Sequence, residues 1–91
     1  MNIDKVRRRL EIDEGVVYEI YEDHLGYATF GIGHLVRTSD PEYGWEVGTV
    51  VPEDRVKQAF ESDLAVAVDE CRILYNMWDN FPEEVQEILV N

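Results

Sequence analysis

The sequence predicts an α+β fold in which a small antiparallel sheet sits between a short helix and a long one. Three patterns carry that prediction. Ile3, Val6 and Leu10 recur at spacings of three and four and stop at Gly15, as a short amphipathic helix does. Two runs rich in β-branched and aromatic residues, 16–21 and 27–32, flank a turn at His24-Leu25-Gly26. Val56, Phe60, Leu64, Ala67, Cys71, Leu74 and Trp78 then recur every three or four residues.

Each element has its own warrant. Asn2 is an N-cap candidate for the first helix, and Arg7, Arg8 and Arg9 lie in its later turns, where cations complement the negative helix end. Asp13 and Glu14 oppose that same dipole. The arrangement suits a group that must hold a proton and costs a solvated acid little. Strand residues 16–21 lead into a turn at 22–26, where Gly26 is free to take positive φ, and 27–32 return. Asp40-Pro41-Glu42-Tyr43-Gly44 reads as a loop and Trp45-Glu46-Val47 as a third short strand. Val51-Pro52-Glu53-Asp54 is a helix start, with Pro in the first turn and acids at the positive end. The stripe that follows predicts one helix to about Asn80, roughly 40 Å long, or a helix with one break. Asn80-Phe81-Pro82-Glu83 resembles a capping box opening a last helix with Val85, Ile88 and Leu89 as its apolar face.

Composition narrows the function. Ninety-one residues support one domain that buries about 60–65% of its unfolded surface. Twenty acids against 8 bases give a net charge of −12, which argues against a nucleic-acid partner because phosphates would be repelled. The lone Cys71 has no internal disulfide partner and lies on the apolar stripe, as a small core residue would. The N-terminus is polar and no apolar run approaches the roughly 18 residues a membrane span needs, so the expectation is a chain made in a cytoplasm, with no membrane partner. Gly31-Ile32-Gly33 is not a dinucleotide loop, since the third glycine of that motif falls on Val36. His24, His34 and Cys71 are too scattered to predict a metal site.

Taken singly, Asp23 is a turn residue, Thr29 an ordinary strand residue and His34 a buried, hydrogen-bonded side chain. Together they carry more. Residues 10–35, LEIDEGVVYEIYEDHLGYATFGIGHL, resemble without a gap the catalytic motif of the phage T4-type lysozyme family, glycoside hydrolases that cut peptidoglycan. The family's I-D-E-G helix end matches Ile12-Asp13-Glu14-Gly15, which makes Glu14 the catalytic acid. Its second carboxylate falls on Asp23, its active-site threonine on Thr29, and its Gly-Ile-Gly-His-Leu on residues 31–35. The resemblance further implies substrate contacts at Gly33 and Leu35, and a structural ion pair between His34 and Asp63 on the long helix.

The implied reaction is hydrolysis of the β-1,4 bond between N-acetylmuramic acid and N-acetylglucosamine. Glu14 would protonate the glycosidic oxygen, while Asp23 and Thr29 position or activate a water on the opposite face. Inversion follows, for which carboxyl groups stand roughly 6.5–9.5 Å apart. The chemistry requires neither metal nor organic cofactor. Its partner is peptidoglycan, reached from the host cytoplasm after release, as in an endolysin that degrades the wall and lyses the host. The implied partition is a catalytic lobe at 1–51 and, at 52–91, a connecting helix with the start of a C-terminal helical lobe, in a single compact unit. Family enzymes continue with several more helices. The apolar residues at Cys71, Leu74, Tyr75, Met77 and Trp78 are therefore expected to be covered by a homodimer contact or by a missing C-terminal lobe. The alternative reading is a catalytically incomplete module that binds rather than cuts.

Overall fold

A computed structural model describes residues 1–90. The first helix, α1 (Ile3–Glu14), begins where the Asn2 side chain accepts a 3.0 Å hydrogen bond from the Lys5 N–H. It ends at Gly15, whose φ of 81° lets the chain turn away while its N–H still bonds the Glu11 carbonyl at 2.9 Å. The last turn of α1 carries no base, so Asp13 and Glu14 stand at the negative helix end without local compensation, while Glu11 lies 3.7 Å from Arg7.

Three antiparallel strands follow in the order β1 (Val17–Glu22), β2 (Ala28–Gly31) and β3 (His34–Leu35). The third strand is not the expected Trp45-Glu46-Val47 segment. Gly31 and Gly33, both at φ 67°, reverse the chain so sharply that it pairs back at once, with Phe30 opposite His34 and Thr29 opposite Leu35. The residues at 45–48 instead form open loop and turn, and pairing to the far side of β1 begins at Gly48. There Gly48 donates to the Ile20 carbonyl, Ile20 to Thr49 and Val51 to Tyr18, at 2.8–2.9 Å, around a bridge between Glu19 and Val50.

The long helix α2 (Glu53–Leu74) is the common wall of two apolar clusters. Ile20, Phe30 and Val51 pack on its Val56 and Ala59, and Val6 of α1 packs on its Phe60 and Leu64. At 22 residues, α2 is about 33 Å long; a continuous helix to Asn80 does not form, and the alternative of a break holds, with helical turns resuming only as a 3₁₀ segment at Trp78–Asn80. Tyr75 turns extended (φ −122°, ψ 98°), and a 3₁₀ turn at Trp78–Asn80 swings the indole inward until Trp78 is 3% exposed. Burying an aromatic side chain removes 150–250 Å² from water, about 4–6 kcal/mol before entropy, so bending back outweighs one more helical turn. Leu74, expected on the buried stripe, is left 74% exposed.

The last helix, α3 (Glu83–Val90), also departs from the pattern. No capping box forms at its start. Val85 and Gln86 donate to the Pro82 carbonyl, and the Glu83 carboxylate accepts from the Asn2 N–H at 2.8 Å. Nor do Val85 and Ile88 form the buried face, because the helix is rolled to bury Glu87 against Lys5 (3.4 Å) and to bring Val90 to the Phe60 cluster. Among the described residues no helix is long and apolar enough to cross a membrane.

Candidate active site

The hairpin between β1 and β2 is built around the backbone of one residue, Tyr27. The Asp23 N–H donates to the Tyr27 carbonyl at 2.9 Å, and Asp23 Oδ1 accepts from the N–H groups of Leu25 and Tyr27, both at 2.9 Å. Thr29 Oγ1 donates to the same Tyr27 carbonyl at 2.9 Å. Asp23 and Thr29 are therefore fixed relative to each other through Tyr27. The Tyr27 N–H, with the Leu25 N–H and the neighbouring His24 in support, holds the Asp23 carboxyl below the ordinary carboxylate range, although desolvation opposes it. Asp23 stands ionised, with Oδ2 outside this set of bonds.

The sheet sorts the remaining residues by face. Ile20 and Phe30 point to α2, and His34, paired with Phe30, points the same way. Tyr21 and Leu35 are both Cα partners of Thr29, so these three form a row on the opposite face. Thr29 is buried between its partners, while Leu35 is half-exposed. Gly33, in the two-residue β2–β3 turn, is exposed. Glu14, at the open end of α1, is exposed too and joins none of these hydrogen bonds. The structure thus gathers Asp23, Thr29 and Leu35 on the sheet and its first turn and leaves Glu14 on its own at the end of α1.

His34 is buried and sits between two carboxylates. Its Nδ1 faces Asp63 Oδ2 and its Nε2 faces Asp40 Oδ2, each at 2.8 Å. A neutral imidazole has one N–H and one lone pair, so two carboxylates suit the doubly protonated ring. The Asp63 bond is the main reason the His34 pKa is raised; burial opposes it and Asp40 adds to it. Burial also works against ionising Asp40, but the Arg37 N–H, His34 and Arg55 together bring its pKa below the usual value.

The expected partner Asp63 is present, and Asp40 is an addition that the sequence did not suggest. Behind it lies a second pair. Arg55 grips Glu42 through Nη2 (2.8 Å) and Nε (2.9 Å), reaches Asp40 at 3.4 Å, and places its guanidinium 5.6 Å from the Phe30 ring centre. Glu42 is only 2% exposed. One signal was available: Arg55 is in the first turn of α2, where a cation opposes the helix dipole and so needs an acidic partner.

Two cavities lie elsewhere. One of about 410 Å³ runs beside α2 and Trp78, and one of about 310 Å³ lies between α1 and α3, with Asp13 on its wall. Neither is lined by Glu14, Asp23 or Thr29. No protein-family model matches the chain.

Proposed function

We propose that this chain hydrolyses peptidoglycan in the manner of a T4-type lysozyme, cutting between N-acetylmuramic acid and N-acetylglucosamine. The observation that carries the reading is the Asp23–Tyr27–Thr29 unit: an ionised carboxylate and a hydroxyl both tied to the backbone of one residue, with Glu14 exposed at the C-terminal end of α1, which leads into β1. The division of labour follows from that chemistry. Glu14, open to solvent, delivers a proton to the glycosidic oxygen. The Thr29 hydroxyl proton is committed to Tyr27, so Thr29 accepts a hydrogen bond from the attacking water and aims it. Asp23, with its lowered pKa, is a weak base; its part is to hold that water and to offset the positive charge that grows on the sugar ring. Leu35, beside Thr29, offers an apolar contact to the sugar, and Gly33 leaves the backbone open to it.

Hydrolysis of purified peptidoglycan is the test, with NMR used to read the anomer first released. Loss of turnover in Glu14→Gln with inverted product supports the reading; retained stereochemistry would sink the roles given to Thr29 and Asp23. A second reading, a module that binds glycan without cutting it, is favoured by the two cavities lying away from these residues. Binding without turnover would establish it.

A further inference from the structure

The loop between β3 and α2 has its polarity reversed. Its carboxylates Asp40 and Glu42 turn inward to His34 and Arg55, while Tyr43 and Trp45 stand 61% and 40% exposed. Val47 and Val50 are exposed beyond them. In the isolated chain neither half of this arrangement is favourable: a buried ion pair must overcome its own desolvation, and exposed aromatic rings forgo burial. A local rule broken this way points to a use for the exposed side.

The backbone there is well fixed. Tyr43 N–H bonds the Asp40 carbonyl at 3.1 Å and Trp45 N–H the Glu42 carbonyl at 3.0 Å, so successive turns tie the backbone of the two aromatics to that of the two inward-facing acids. With Gly44 alone between them, the two Cα atoms are at most about 7 Å apart. The far end of the loop pairs with β1, the strand that leads to Asp23.

We propose that Tyr43 and Trp45 form a sugar-stacking platform, a further subsite for the glycan strand, selective for its N-acetylglucosamine residues. This rests on the peptidoglycan reading above. Charge selects the occupant. Residues 43–50 carry a single charge, Glu46, in a chain that is 31% charged with a net −12. That field repels anions, and it repels a second copy of the chain as well. A neutral pyranose suits the platform because its apolar C–H face stacks on an aromatic ring while its hydroxyl and acetamido groups meet the Tyr O–H and Trp N–H. The muramic acid residue carries a bulky lactyl-peptide arm and fits less well. A backbone fixed before binding loses little entropy when the sugar docks.

The test uses the full chain as Glu14→Gln, to prevent turnover, titrated with a β-1,4-linked N-acetylglucosamine hexamer. NMR follows the indole N–H of the two tryptophans. A saturable shift of Trp45 with buried Trp78 unmoved is the expected result. Tyr43→Ala and Trp45→Ala should each bind about tenfold more weakly, with Trp45→Phe recovering most of the loss. An unmoved Trp45 resonance, or alanine variants that bind as tightly as the parent, would overturn the platform. So would a Trp45 shift that follows protein concentration without sugar, which would make the occupant a second copy. Wild-type chain that leaves peptidoglycan intact while Trp45 still responds to the hexamer removes the hydrolase reading and keeps the platform.

Discussion

His34 and Asp63, 29 residues apart in the chain, meet at 2.8 Å across the seam between β3 and α2, and Asp40 closes the other side of the ring at the same distance. The proton shared there ties stability to pH. Because the folded-state pKa of His34 is raised, its contribution is complete below the unfolded value of about 6.5 and is lost as pH rises through the folded value. Asp40 works in the opposite sense, contributing above about pH 4 and losing that contribution as pH falls through its lowered folded value. His34→Asn should flatten the fall in melting temperature on the alkaline side. An NMR titration that places the His34 ring at or below about 6.5 would contradict this.

Catalysis makes a sharper demand. Glu14→Gln keeps the shape of an exposed side chain and removes its proton, so peptidoglycan turnover should fall by about 10²–10⁴-fold with little change in melting temperature. Asp23→Asn still accepts from the Leu25 and Tyr27 amides through its carbonyl oxygen, so the hairpin should survive while activity falls by a similar factor. Full activity in Glu14→Gln ends the hydrolase assignment.

Arg55 and Glu42 supply a stability test independent of any substrate. Arg55→Met strands a carboxylate that is 2% exposed and should cost about 3–5 kcal/mol, roughly 4–8 °C of melting temperature per kcal/mol in a domain of this size. Arg55→Met combined with Glu42→Leu removes both charges and should recover most of that loss. Denaturant melts of the single and double variants decide it, and equal destabilisation in the two would show that the pair is not a unit.

Self-association is the remaining expectation. Of the apolar residues expected to need a covering partner, Leu74, Met77 and Ile88 are exposed around the end of α2 and on α3, with Ile73 beside them. Cys71 and Trp78 are instead buried within the chain itself, because the 3₁₀ turn folds Trp78 back and α3 packs by Cys71. Repulsion between chains of charge −12 opposes contact and weakens as salt screens it. Sedimentation equilibrium should show dimers whose fraction rises with salt, and a salt-independent 10.6 kDa monomer at high micromolar concentration would refute this.

The α+β class, the first hairpin and the start of α2 were legible because each rests on short-range periodicity or a local start signal, whereas the His34–Asp63 pair, 29 residues apart, was suggested only by the family resemblance. The misplaced third strand has a specific cause. Trp45-Glu46-Val47 has strand propensity, but two positive-φ glycines spend the pairing edge of β2 on His34 and Leu35 first. The end of α2 was hidden for a different reason. Nothing local distinguishes Trp78 as the last residue of a helical stripe from Trp78 folded back under the chain, and only tertiary burial decides between them. Within the site, the row of Tyr21, Thr29 and Leu35 depends on register, and Glu42 on a partner 13 residues away. A linear pattern carries neither.

The bond from the Asn2 N–H to the Glu83 carboxylate spans 81 residues, whereas the sheet closes through turns of a few residues. Closing a loop grows more costly by about 0.6 kcal/mol with each doubling of its length, so these two contacts belong to different moments of folding. The hairpins can assemble from near neighbours on the microsecond scale of local events, the β3–α2 seam closes a loop of 29 residues, and the clasp between α1 and α3 comes last. What forms last on few contacts is also what opens first. In native-state hydrogen exchange α1 and α3 should therefore open together, well before the strands, so that the helix carrying Glu14 belongs to a different cooperative unit from the hairpin carrying Asp23.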